Sequence, residues 1–268
     1  MKKTSLFVFL FMSFVSMYAQ DALEGIIVEK YYVSTKKDNA KKHLSGELPV
    51  GSTTYRIYVD MAPGCRFMAA YGAPGHPLEI KSSELIFNHE ENGAEHPLRI
   101  PERSYKKNIT ALDSWITIGP AGEAYMGVLK TEDTLKDFGS VVPFEEGFLL
   151  ADKKMKFSLL ERDGFLRIEN VPKITLYNID SSVRVLFSET IGNSFLIEDG
   201  AWASMGQGVC GVDSTGSNTL LIAQITTIGR LSYELNLMLR NADGSVVNYV
   251  AKDPVENEVL HKSLKSNK

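Results

Sequence analysis

Cysteine is scarce in this chain. Only Cys65 and Cys210 occur in 268 residues, which excludes the multi-bridge framework that staples small secreted domains. A Cys65–Cys210 bridge would close a long loop, worth about 4–5 kcal/mol in the chain-entropy account. It requires the two Cα atoms to approach within ~7 Å, and otherwise the residues are two small apolar side chains. Both readings stand. Positive charge is not in excess either. The chain has 29 Lys and Arg against 33 Asp and Glu, a formal charge of −4, which argues against a nucleic-acid partner. Nucleophile motifs are missing: there is no Gly-x-Ser-x-Gly elbow, and neither cysteine has a neighbouring histidine to activate it. Gly206-Gln207-Gly208 lacks the third glycine and the following helix of a phosphate loop. Helical periodicity is weak throughout.

One long apolar run exists, at the amino terminus. Lys2 and Lys3 precede Leu6–Val15, and Ser16-Met17-Tyr18-Ala19 leads into Gln20 and Asp21. This is the three-part layout of a secretory signal peptide over residues 1–19. The run is too short for a spanning helix, which needs about 20 apolar residues, and no cysteine near the cut suggests lipidation. Removing Lys2 and Lys3 takes the charge from −4 to −6, because no acidic residue precedes Asp21. The expectation is an exported protein, periplasmic, outer-membrane-associated or extracellular, with no transmembrane segment after the signal is removed.

Beyond the leader the chain reads as strands. Gly25–Val33 (GIIVEKYYV) is rich in β-branched and aromatic residues, and Ser52–Asp60 (STTYRIYVD) alternates with period two. Further strands are expected over 66–71, 78–87, 114–118, 157–160, 165–168, 174–179, 183–188, 220–226, 231–239 and 246–250. Ala62-Pro63-Gly64, Ala73-Pro74-Gly75, Asp163-Gly164 and Asp243-Gly244 supply tight-turn chemistry between them. Many short strands without long helices predict an all-β fold, an antiparallel β-sandwich or jelly roll. Lys36–Ser45 and His89–Lys107 read as surface loops, and residues 252–268 as a loosely held polar tail.

The chain also repeats itself faintly. Trp115 in DSWITIG and Trp202 in GAWASMG share a frame, each with a glycine four residues on. Arg56–Asp60 then Cys65–Met68 parallels Thr175–Ile179 then Val183–Leu186. The pattern suggests a duplicated strand unit, residues 20–135 and 136–251, forming one compact domain or two tightly associated ones and burying both tryptophans in a shared interior. The segments TTYRIYVDMAPGCRFMAAYG, LDSWITIG, GAWASMG, LLIAQITTIGRLSYELNLML and VVNYVAKDP resemble a module of exported proteins from Bacteroidota-type bacteria, a family of unassigned activity. The resemblance implies a secreted or surface setting and supplies no catalytic residues. Larger members end in a sorting domain that Asp253–Lys268 does not resemble.

Candidate chemistry is thin. His89, Glu90, Glu91 and His96 are the densest group of ligand-type side chains and could hold a metal, with weak Ca²⁺ binding conceivable at Glu90-Glu91-Asn92-Gly93. Their spacing fits no standard motif, so a solvated loop is the plainer reading. Asp60 and Asp113 flank strands and could serve as the paired carboxylates of a glycosidase, or simply as turn residues. Tyr32 and Tyr58 are the candidate binding surface, placed where an aromatic could stack on a sugar. The expected function is a non-enzymatic binding or structural module of the cell envelope, its partner a polysaccharide or an envelope protein. Alternatives are an accessory subunit of an outer-membrane or secretion assembly, or a carbohydrate-active enzyme on a jelly-roll scaffold.

Overall fold

The computed structural model describes residues 21–36, 38, 48–105, 108–133, 164–179, 186–187 and 190–266. The signal segment, the boundary at 135 between the two expected units and the strand expected over 157–160 lie outside them. Of the strand expected over 183–188, only Leu186 and Phe187 are described; both are buried, and they are helical and turn rather than extended.

The strands run in chain order as β1 (Leu23–Val33), β2 (Thr53–Met61), β3 (Arg66–Gly72), β4 (Leu78–Ser82), β5 (Trp115–Ile116), β6 (Pro120–Gly122), β7 (Tyr125–Gly127) and β8 (Phe165–Arg167). They continue with β9 (Ile174–Tyr177), β10 (Ser194–Ile197), β11 (Gly200–Ser204), β12 (Thr219–Thr227), β13 (Leu231–Glu234), β14 (Leu237–Arg240), β15 (Val246–Val250) and β16 (Glu258–Leu260). Among the described residues α-helix is confined to the single turn Glu102–Tyr105 and to Leu186. The protein is an all-β, sandwich-like fold. No helix among the described residues is long and apolar enough to cross a membrane.

Two large sheets carry the architecture. One has the order β1-β2-β12-β5; the other is β16-β15-β14-β3-β11-β9. Between them lies the main core, with Ile57 and Val59 of β2, Leu220 and Ile225 of β12, Phe67 of β3, Trp202 of β11 and Leu237 and Leu239 of β14. A three-stranded sheet, β10-β4-β13, adds Ile80 and Phe195 to that core.

The first sheet is also covered on its other face. Tyr31, Tyr32, Tyr58 and Leu221 point there and pack under Ile100, Tyr105, Ile109, Leu112, Trp115 and Phe165. The cover is formed by residues 94–105 and 108–133 together with β6-β7-β8. This explains why all nine residues of β12 are buried and why Thr-Leu-Leu-Ile-Ala-Gln-Ile reads as a continuous run rather than an alternating one. A register shift between Leu221 and Ala223 keeps Ala223 and Ile225 on the main-core side and Gln224 on the other.

The packing corrects several expectations drawn from the sequence. The tryptophans do not share an interior: Trp202 belongs to the main core and Trp115 to the second cluster. Trp202 instead reaches the strand end beyond Trp115, its Nε1–H donating to the Thr117 carbonyl at 3.1 Å. The chain halves interleave, since β12 lies between β2 and β5 while β3 lies between β11 and β14. His89–Lys107 is not a solvated loop, because His89, Ile100 and Tyr105 are buried. The expected strand 231–239 is two strands broken at Asn236. Its side-chain amide donates to the Tyr71, His76 and Pro77 carbonyls, and that holds the bend.

The polar tail is docked. Strand β16 pairs in parallel with β15, and Leu264 is fully buried. Lys265 and Lys252 both bind the Glu234 carboxylate, at 2.8 and 2.6 Å. Of the apolar residues in EVLHKSL only Leu264 is buried, so that side chain, the ladder to β15 and the lysine pairs on Glu234 seat the segment despite the charged composition around it.

Candidate functional site

The tyrosines expected on a surface are inside. Tyr58 is 0% and Tyr32 5% exposed, because the face they occupy lies beneath the cover of the first sheet. The Tyr58 hydroxyl donates to the Val128 carbonyl at 2.8 Å, and that of Tyr32 to the Asp38 carboxylate at 2.9 Å. Burial pushes both phenols far up.

Beside them lies a buried cation. The Arg56 guanidinium, 0% exposed, packs on the Tyr31 ring at 3.5 Å and the Phe165 ring at 4.8 Å. Its Nε–H donates to Gln224 Oε1 at 3.0 Å and its Nη1 to the Gly164 carbonyl at 2.9 Å. Gly164 has φ +75°, and a Cβ there would stand 2.7 Å from Arg56 Nη1, so only glycine fits. Gln224 completes the network by donating to the Ala111 and Asp113 carbonyls. These interactions tie the cover to the central sheet, which makes them structural glue rather than an accessible site.

The proposed metal residues do not converge. His89 is buried, Glu90 and Glu91 are exposed, and His96 is half-buried. Burial pulls the His96 imidazole below its ordinary range, against the raising pull of Glu95. Among the described residues no group of three or more His, Cys, Asp and Glu is placed to hold a metal ion. The centre of this segment is Asp113, whose carboxylate accepts the backbone N–H of His89 at 2.8 Å and of Ala94 at 3.0 Å. Burial pushes its carboxyl well up, and the backbone bonds pull the other way. It faces backbone rather than a cleft. Asp60 is a half-buried strand residue raised by burial, with Glu24 and Glu132 adding repulsion.

The cysteines are both free, Cys65 buried and Cys210 half-exposed. The reason is parity. Phe67 pairs with Val209 in an antiparallel bridge, so continuing that register sets Cys65 opposite Gly211 and Cys210 opposite Arg66. Adjacent positions point to opposite faces. Asn218 fixes this arrangement, donating to the Ala62 and Cys65 carbonyls while accepting the Gly211 N–H at 2.9 Å.

One broad sheet face carries no cover among the described residues, the outer face of the six-stranded sheet. The register places Ala69, Ala203 and Met238 in one row across it, with Thr175 beyond Ala203. Tyr71, Ala201 and Tyr177 form a row toward one end, and Arg66 and Arg240 stand toward the other. Tyr177 is 69% and Met205 75% exposed, and Arg66 is exposed. The Tyr71 hydroxyl is buried with no partner among the described residues, and burial, with the Glu258 carboxylate, pushes it up to about 12. The face is therefore an alanine floor between a tyrosine bank and an arginine bank.

A cleft of about 390 Å³ opens at the arginine end. Strands β9 and β11 pair as far as Ile174 opposite Ser204. Beyond that point the two segments splay, and Asn170 and Pro172 face Gly208–Val212 across the gap, with Arg66 at the rim. This volume lies within the range of small-molecule sites. Sequence reasoning missed Arg66, Arg240 and Tyr177. Their alternation was readable, but the register joining positions 66 and 240 was not. Comparison of the chain with models of known families, with curated proteins and with solved structures returns no match.

Proposed function

We propose that this protein is an exported, non-enzymatic binding module of the bacterial cell envelope that takes a polymer across the outer face of its six-stranded sheet. The carrying observation is the contrast between the two sheets. The central one is sealed on both faces, whereas the outer one turns exposed Tyr177, Met205 and Arg66 to solvent around an alanine floor. A tyrosine on a flat, rigid strand offers a stacking surface with little entropy to lose. The signal-like leader and the resemblance to exported modules supply the compartment.

Affinity electrophoresis through gels containing soluble polysaccharides tests the reading. Wild type is expected to be retarded by at least one polysaccharide, with Tyr177→Ala weakening retention about tenfold. Equal retention of the variant, or no retention in any gel, would defeat it.

A second reading, an accessory subunit of an envelope assembly, rests on a separate surface. At the far end of the central sheet a cleft of about 290 Å³ is bordered by Leu85 and Ile228, which are 52% and 53% exposed, and Val50 and Ile191 add 49% and 58% exposure nearby. Exposed aliphatic clusters mark protein contacts. Crosslinking in intact cells from a photoreactive residue at Leu85 is expected to capture one defined envelope protein under this reading. Recovery of the uncrosslinked monomer alone would count against it.

A further inference from the structure

Two arginines stand side by side at one end of the open face. In the β3–β14 ladder Arg66 is paired directly with Arg240, which puts their Cα atoms about 4.5–5.5 Å apart. Like charges directly opposite one another destabilise a ladder, and a purely structural sheet would place a carboxylate beside them. Among the described residues neither guanidinium forms a salt bridge. Arg240 Nη1 donates to Gln207 Oε1 at 2.5 Å, which fixes the group without neutralising it. The Arg240 Nε–H is buried and finds no acceptor among the described residues. Arg66 makes only a 3.4 Å contact, from Nη1 to the Gly208 carbonyl.

The turn that holds Gln207 against Arg240 is tightly built. Gly208 has φ +83°, and a Cβ there would lie 2.7 Å from Met68 Sδ and 2.8 Å from the Phe67 carbonyl oxygen. The backbone thus presses onto β3 and keeps Arg66 at the rim of the cleft, with Arg240 beside it across the ladder. Most of their N–H groups remain unused, in the forked geometry that matches a planar oxyanion.

From this charge arrangement we infer that Arg66 and Arg240 recognise the carboxylate of an acidic polysaccharide, an inference that rests on the binding face proposed above. Successive outward rows lie about 7 Å apart along the strands, so an anionic sugar seated on the arginines extends over Ala69 and Ala203 toward Tyr177. An acidic peptide fits less well. Extended peptides bind by adding a strand to a sheet edge, whereas this face has its backbone groups consumed in ladders and offers side chains alone. At the far strand the Glu258 carboxylate is engaged by His76 at 3.2 Å.

Calorimetric titration with polygalacturonate, its fully methyl-esterified form and poly-glutamate decides the matter, with thermal melts as the folding control. Polygalacturonate is expected to bind wild type at least tenfold more tightly than the ester, and the affinity should fall steeply with added salt. Arg66→Gln and Arg240→Gln should each weaken that binding about tenfold or more while melting no lower than wild type by more than a degree or two. Equal binding of acid and ester, with Tyr177→Ala still damaging, would overturn the anion assignment and leave the polymer face standing. Binding of poly-glutamate alone would overturn the choice of a saccharide. Failure of both pectins and poly-glutamate would overturn the inference.

Discussion

Arg56 is the residue on which the central sheet and its cover meet. Its charge is buried, and the bonds to Gln224 and Gly164 satisfy Nε and Nη1 while Nη2 has no acceptor among the described residues. A buried cation in that position contributes through shape and two bonds more than through charge. Arg56→Ala removes packing against Tyr31 and Phe165 and strands two acceptors, so a loss of about 3–5 kcal/mol is expected in urea unfolding. Arg56→Met keeps most of the volume and removes the desolvated charge, and should lose about 2 kcal/mol less than Arg56→Ala. If the two variants unfold at the same urea concentration, the account of Arg56 as filler rather than ion is wrong. The tyrosines around it show why the residue scale misleads a sequence reader. Tyr32 and Tyr58 have the profile of surface aromatics, alternate on strands and carry a polar handle. Nothing local says that a segment more than thirty residues downstream covers them.

Among the elements, the carboxy-terminal strand β16 is the most informative. The segment around it is tied to β13 through Glu234, which Lys252 and Lys265 clasp. Burial alone would push Glu234 up, but the hydrogen bonds and charges of the two lysines outweigh it and its carboxyl titrates below the ordinary range. A carboxyl depressed in the folded state stabilises above its unfolded pKa, and the contribution is lost as pH falls through the folded value. Relative to the intrinsic rate, which itself falls with pH, the protection of amides over Glu258–Ser266 is therefore expected to drop more than that of β12 between pH 6 and pH 3. Glu234→Gln should already show this loss of protection at pH 6, with a stability loss of no more than about 1 kcal/mol, because the lysines are partly exposed. Unchanged exchange in the variant would show that Leu264 packing holds the tail without the ion pairs. A second prediction concerns the segments bearing the thiols. Cys210 borders the cleft and Cys65 is buried with its thiol pushed up by desolvation. A thiol reagent should label Cys210 in the native protein and Cys65 only after unfolding, and reductant should leave the melting temperature unchanged. A reductant-sensitive melt would mean the sulfurs are joined.

At the scale of the whole molecule, strand character was legible and layering was not. The alternation of Ser52–Asp60 announced a half-buried strand, and the strand is there, but both its faces are buried because a third layer was added. The unbroken apolar run of β12 was the one local hint of that layer, since only a strand covered on both sides needs apolar residues at consecutive positions. The open face was equally hidden. Arg66 begins one strand and Arg240 ends another, and the register that sets them opposite is chosen by the main core, where Phe67 and Leu239 must face inward. The proposed polymer binding, and the acidic character inferred for the polymer, rest on this assembled face and on no single segment.

By itself the amino-acid sequence determined that the chain builds from short strands joined by Gly, Pro and Asp turns, because side-chain alternation and turn chemistry act within a few residues. It also excluded a framework of several disulfides, since only two cysteines occur. Only the tertiary structure decided which faces are wet, that Trp115 and Trp202 occupy different cores, that the thiols point apart, and that two arginines meet. Those outcomes depend on register and on which segment covers which sheet, and both are fixed by the packing of residues far apart in the chain.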